Sequence, residues 1–296
     1  MQRTFIIGDK WLYLKLYTGL KTADTLITAL IGSLSSSFID DNLAEKWFFI
    51  RYNDPQFHLR WRISITDPEK IGTIITRVNK AIFPYLDNDM IYKVQAETYK
   101  REIERYGSNS IGIMEQLFWH NSMLVCDYLS QTKDSEDEKN RWLFSMRAID
   151  SFLNLFNYEL DQKLRLLSIM ANSYGKEFNI DSALISQLSD RYRANKKDIF
   201  NFMSLTFDDA NAYEALLKVQ HQFNIRSTRG VNEILKLEND KQLAVSVDNL
   251  LISYIHMFMN RLFRSKQRLH EMVIYGFLFR YYRSQLAQSK HSNINA

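Results

Sequence analysis

The chain has 296 residues, 46% of them hydrophobic, enough to bury a sizeable core in one large domain or two small ones. Thirty-eight basic and 34 acidic side chains leave a net charge of +4, too small to argue for a nucleic-acid or membrane-surface partner. A single cysteine, Cys126, excludes an internal disulfide framework and a Cys-based zinc site and suits a reducing compartment.

The apolar N-terminal stretch is cut at once by Asp9 and Lys10, so no signal peptide is expected. The longest apolar run, Leu250 to Met259, is shorter than the roughly 20 residues that span a bilayer and carries Ser253 and His256. The expectation is a soluble, cytoplasmic chain with no membrane insertion. With only 9 Gly and 3 Pro, long regular elements and few sharp turns are expected.

The first third alternates two periods. Leu12, Leu14 and Leu16 share one side of a strand whose other side carries Trp11, Tyr13, Lys15 and Tyr17. Leu26, Ile27, Leu30 and Leu34 then repeat at helical spacing, and Trp47 to Tyr52 is a short, nearly continuous apolar strand. After a turn at Asn53-Asp54-Pro55, Leu59, Trp61, Ile63 and Ile65 alternate with His58, Arg60, Arg62 and Ser64, so the pair reads as a hairpin. Asp67 is the expected N-cap of a second helix with Pro68 at its first position, carried on by Ile71, Ile74, Ile75, Val78 and Ile82. A strand over Ile91 to Thr98 completes β-α-β-β-α-β, the order of a ferredoxin-like, mostly antiparallel sheet.

From about residue 110 the period is helical, with helices expected near 112–130, 139–160, 182–193, 208–223, 228–238, 241–264 and 266–287. The charged run Gln131 to Asn140 is the best surface break, and Ser135 with Glu138 can form a capping box. The fold class is therefore α+β. Residues 1–108 form the sheet subdomain, residues 109–296 the helical one, and together they make one domain.

Three places can hold chemistry. His58, Arg60 and Arg62 on an exposed β face put two guanidiniums about 7 Å apart, a spacing that can grip carboxylates through bidentate hydrogen bonds. Periodicity alone favours a merely solvated face. In the run from Tyr99 to Gly107, Glu102 and Arg105 share a face if the segment is helical, where an internal ion pair is the simpler reading. On a late helix, Asn249, Ser253, His256 and Asn260 form a polar stripe that can line a pocket and supply a base, or simply face water, while Phe258 falls on the apolar side. No phosphate loop, GxGxxG or nucleophile elbow occurs, and the six His lack metal-ligand spacing; no metal or cofactor is expected.

In this order the segments resemble the C-terminal elimination domain of the lantibiotic (lanthipeptide) dehydratases and its free-standing relatives, the thiopeptide-type bacteriocin biosynthesis proteins. The family pattern opens with a strand like Trp11 to Tyr17. It continues with Phe-Phe-Ile-Arg-Tyr-x-Asp-Pro-x-x-His-x-Arg-x-Arg, matched at every named position from Phe48 to Arg62. It then carries Glu-x-Glu-Arg-Tyr-Gly, here Glu102 to Gly107, and a late-helix Asn-Arg-Leu, here Asn260 to Leu262. The match is long enough to outweigh the solvated-face reading.

The resemblance implies removal of glutamate from glutamylated Ser or Thr of a ribosomal precursor peptide, giving dehydroalanine or dehydrobutyrine. Carboxylate is a good leaving group where hydroxide is not, so the domain has to hold glutamate and supply a base. It implies catalytic roles for Arg62, Arg105, Glu102 and His256, and substrate contacts from Arg60, His58, Arg51, His120 and Asn260. The implied partners are the glutamylated precursor peptide and a separate glutamylation subunit, with no direct tRNA binding; a homodimer is compatible with the sequence. Two positions depart from the pattern: Phe258 stands where the family carries its second late-helix histidine, and Asn121 replaces Asp in the segment Phe118 to Ser122. Phenylalanine moves no proton, so the base falls to His256 or His120. The alternatives are pyridine-forming cycloaddition of the thiopeptide type and a non-catalytic partner subunit.

Overall fold

A computed structural model describes residues 1–133, 138–177, 181–206 and 213–294. In chain order the elements begin with β1 (Thr4–Phe5) and β2 (Trp11–Thr18). A helical run follows, made of α1 (Thr22–Thr25), a π-helical stretch (Leu26–Gly32) and α2 (Ser33–Asp40). Then come β3 (Ala44–Asn53), β4 (Phe57–Ile65), a 3-10 turn (Pro68–Lys70), α3 (Ile71–Asp87), β5 (Ile91–Ala96), β6 (Tyr99–Lys100) and the single turn α4 (Ile103–Tyr106). The helical part consists of α5 (Ile111–Gln131), α6 (Glu138–Leu155), α7 (Leu160–Glu177), α8 (Ser182–Ser204), α9 (Glu214–Asn239), α10 (Val247–Leu262) and α11 (Gln267–Ile294).

Two compact units emerge, Met1–Asp134 with Ile225–Leu250, and Ser135–Asn224 with Leu251–Ala296. This corrects the expected break at residue 108. Helix α5 clusters with the sheet, because Phe118 packs on Phe48 with ring centroids 5.6 Å apart and the Ser122 hydroxyl accepts the Phe49 N–H at 3.3 Å. That N–H belongs to an edge strand and needs an acceptor from outside the sheet.

In the first unit four strands pair antiparallel in the order β3-β4-β2-β5, the split order expected from β-α-β-β-α-β. The short strands β1 and β6 pair separately. One sheet face, with Leu12, Leu16, Phe49, Leu59, Trp61 and Ile63, is buried, and Trp61 donates from its indole to Ser35 of α2 at 3.0 Å. Asp67 caps its helix as expected by accepting the Glu69 N–H at 3.1 Å, although the first turn is 3-10 rather than α. The run Thr22–Asp40 is long and apolar enough to cross a membrane by composition, but half of it is buried against the protein itself.

Among the helices, the stretch from 214 through 228–238 is one uninterrupted α9, and α10 starts at Val247 rather than 241. Helix α7 was absent from the sequence reading. The expected helix to residue 160 stops instead at Leu155, where Asn157 adopts φ 58° and turns the chain with neither Gly nor Pro. The Ser135 capping box and the start of the helix expected at 208 lie outside the described residues.

Candidate functional site

The β4 residues His58, Arg60 and Arg62 pair with Tyr17, Lys15 and Tyr13 of β2 and with Tyr52, Ile50 and Phe48 of β3. Residues directly opposite share a face, so these nine side chains lie together on the sheet surface away from Leu59 and Trp61. The expectation of an exposed face is corrected here: His58 and Arg62 are buried, 1% and 8% exposed, and Arg60 is half-buried. The cover comes from the segment after β5, whose Tyr99 packs against Trp11 and Phe48 and whose Glu97 accepts from Lys15 Nζ at 2.8 Å.

Arg62 is the unusual member. Its guanidinium carbon lies 4.4 Å from the Tyr13 ring centroid, 4.9 Å from Tyr99 and 5.2 Å from Phe48, within cation–π range of all three. Its Nε is buried without a hydrogen-bond partner, and among the described residues no carboxylate pairs with it. Burial lowers its proton affinity below the usual arginine value, partly offset by Tyr13 and Tyr99; farther out, Arg60 lowers it again and Glu102 raises it. A buried guanidinium leaves its donors unmet unless an anion supplies acceptors.

Arg60 is held differently. Its guanidinium stacks 3.3 Å from the Tyr52 ring centroid, and Nε donates to His58 Nε2 at 3.2 Å. His58 donates from Nδ1 to the Gln56 carbonyl at 2.8 Å, so both ring nitrogens are committed in one tautomer. Burial lowers the His58 pKa, with Arg60 adding to it, which keeps the ring neutral. His58 therefore orients Arg60.

Glu102 and Arg105 come together as an exposed ion pair at 3.1 Å across the start of α4. The turn ends at Gly107, φ 77°, where a Cβ would meet the Ser110 Oγ at 2.7 Å, so the motif needs glycine at its end. Arg51 is not on this face. It pairs in register with Leu59 and forms a buried ion pair with Asp24 of α1 at 2.6 Å, so it serves the opposite layer.

Glu115 is a site residue not expected from the sequence. It is fully buried on α5 and takes Arg101 in a bidentate pair, both contacts 2.7 Å, together with the Tyr99 hydroxyl at 2.9 Å. Its signal was a lone acid four residues after Ile111 and three before Phe118, within the apolar stripe of α5. His120, on the same helix, meets Gln116 at Nε2 over 3.0 Å, while its Nδ1 is buried without a partner. Burial, with Arg226 nearby, brings its pKa down to about 4, so the ring is neutral near pH 7.

His256 and Asn260 belong to the second unit. The His256 Nδ1 meets the fully buried Glu271 carboxylate at 2.7 Å, and Glu271 also accepts from the Tyr275 hydroxyl at 3.1 Å. A carboxylate at Nδ1 fixes the tautomer in which Nε2 is the basic nitrogen. Asn260 donates to Gln267 at 2.8 Å, and Phe258 is buried.

The family described as lantibiotic biosynthesis dehydratase C-term matches residues 11–282. The chain belongs to this family. It is 24% identical over 271 residues to the subtilin biosynthesis protein SpaB of Bacillus subtilis, covering 90% of this chain and 25% of that one. It is also 24% identical over 250 residues to the nisin biosynthesis protein NisB of Lactococcus lactis subsp. lactis, covering 83% and 21%. The chain thus spans about a quarter of the length of these two relatives. Its fold is similar to the tRNA dependent lantibiotic dehydratase MibB of Microbispora, with TM-score 0.75, 18% identity and coverage of 96% of this chain and 29% of that one. It is also similar to TbtD, a pyridine synthase from thiomuracin biosynthesis, with TM-score 0.68, 14% identity and coverage of 94% and 98%.

Proposed function

We propose that this chain eliminates glutamate from glutamylated Ser or Thr of a precursor peptide, in the cytoplasm and alongside a glutamylation subunit on a separate chain. The observation that carries the reading is Arg62, a buried guanidinium in an aromatic cage with no paired carboxylate among the described residues. A glutamyl carboxylate supplies the missing acceptors. Arg60, pre-set by His58 and Tyr52, is the second grip, and Arg105 with Glu102 the third.

Charge develops on the departing carboxylate as the Cβ–O bond breaks and the α-proton is lost. Fixed guanidiniums stabilise that charge without reorganisation. His256 is the proposed base on its own chemistry, since Glu271 stabilises the imidazolium that proton removal creates. Arg51 is left out of the substrate set because Asp24 already holds it. The test is incubation of the chain, with its glutamylation partner, against a precursor peptide. Accumulation of glutamylated peptide on Arg62 substitution supports the reading, and unimpaired dehydration rejects it.

A second reading is pyridine-forming cycloaddition on an already dehydrated peptide, and a non-catalytic partner role is motivated by Phe258 standing where the family pattern carries histidine. Cycloaddition predicts macrocycle formation from a peptide bearing two dehydroalanines. Retention of Arg60, Arg62, Glu102 and Arg105 favours elimination over cycloaddition and over a non-catalytic partner role.

A further inference from the structure

The second unit holds a cleft of about 1020 Å³ walled by α7, α8 and α11, and nothing in the elimination reading uses it. Its chemistry is one-sided. Arg280 and Arg283 reach it from α11, and among its described lining residues there is no acidic side chain; at the rim Arg193 is already paired with Asp190.

Arg280 donates from Nη1 to the Gly276 carbonyl at 2.9 Å and from Nη2 to the Ser189 hydroxyl at 3.1 Å, both uncharged acceptors. A Cβ at Gly276 would stand 3.2 Å from that Nη1, so glycine there leaves room for the guanidinium. Arg283 is exposed and, among the described residues, has no ion pair. Burial and the neighbouring Arg283 both lower the proton affinity of Arg280, as expected for two cations with no counter-charge. Tyr192 of α8, 6% exposed, and Ser284 of α11 bring their hydroxyls together on the same wall. Two guanidiniums on one wall, with no acidic side chain among the described lining residues, call for an anion.

We propose that this cleft binds a phosphate monoester carried on a nucleotide-sized, partly apolar body. Two guanidiniums and the Ser284 hydroxyl from α11 face the Tyr192 hydroxyl from α8, four donors for the several oxygens of a phosphate dianion. The volume is that of a small-molecule site, and Leu188, Met272 and Phe279 give the rest of the wall an apolar surface for the carrier.

The test is calorimetric titration of the full chain with adenosine monophosphate, inorganic phosphate, adenosine and free glutamate as separate probes. The expected result is saturable binding of the monophosphate, weaker binding of phosphate, and none of adenosine or glutamate. Arg283→Gln, which removes no ion pair or hydrogen bond among the described residues, weakens the monophosphate about tenfold, and Arg280→Gln does so as well. No saturation with the monophosphate, unchanged affinity in Arg283→Gln, or glutamate binding as tightly as the monophosphate overturns the proposal. Phosphate binding as tightly as the monophosphate overturns the apolar-carrier part.

Discussion

The Arg62 guanidinium carbon lies 4.9 Å from the centroid of the Tyr99 ring, and the hydroxyl of that ring donates to the buried Glu115 carboxylate at 2.9 Å. One face of Tyr99 therefore shelters a cation, and its polar end is anchored to an acid that also holds Arg101. Burial and Glu115 push the Tyr99 pKa well above its usual value, so the ring stays a neutral hydrogen-bond donor at any physiological pH.

A guanidinium kept buried without an ion pair is a cost to the fold. Arg62→Met removes the charge and keeps the length. Its melting temperature is expected to equal or exceed that of the parent, while elimination is lost; thermal unfolding and product analysis on the same preparation check both. A variant less stable and still active would show that Arg62 serves the fold.

Glu115→Gln leaves Arg101 half-buried beside a neutral amide. Removing one partner of such a pair is expected to cost about 3 kcal/mol, read by denaturant unfolding. Arg51→Ala is expected to cost a similar amount by stranding Asp24, without changing affinity for the glutamylated peptide.

His120 gives a pH prediction. Its folded pKa, about 4, lies below the ordinary value near 6.5, so the neutral ring is favoured in the folded state. Its stability contribution is complete above pH 6.5 and is lost as pH falls from there to about 4, amounting to about 3 to 4 kcal/mol at about 1.4 kcal/mol per pH unit. His120→Gln is expected to flatten that acid limb in unfolding curves taken between pH 7 and 4. An unchanged limb would place the titration elsewhere.

The base is tested separately. His256→Ala is expected to lower the elimination rate about a hundredfold or more, with glutamylated peptide accumulating. Full activity in that variant, or a large gain from Phe258→His, would move the base away from His256.

Much of this fold was legible because the signals are local. The alternation from Leu59 to Ile65, the hairpin at Asn53-Asp54-Pro55 and the Asp67 cap each need only a few neighbouring residues, and the strand order followed from them. The burial of Arg62 was not legible, because alternation reports which side a residue takes and not what covers that side. Its cover, Tyr99, lies 37 positions away in sequence. Arg51 was assigned with the other arginines by motif, yet pairing with Leu59 in register puts it on the other face. Helix α7 was lost because the chain turns at Asn157, a residue that tolerates the left-handed conformation and carries no Gly or Pro mark.

The central claim, that Arg60, Arg62 and Arg105 grip the glutamyl carboxylates, is tested most directly with Arg105→Ala. The Glu102 pair it breaks is exposed, so stability is expected to change by less than about 0.5 kcal/mol. In a reaction reconstituted with the glutamylation partner, mass spectrometry is expected to show glutamylated peptide accumulating and dehydration falling about a hundredfold. Dehydration by Arg105→Ala and Arg62→Met at the parent rate would contradict the account.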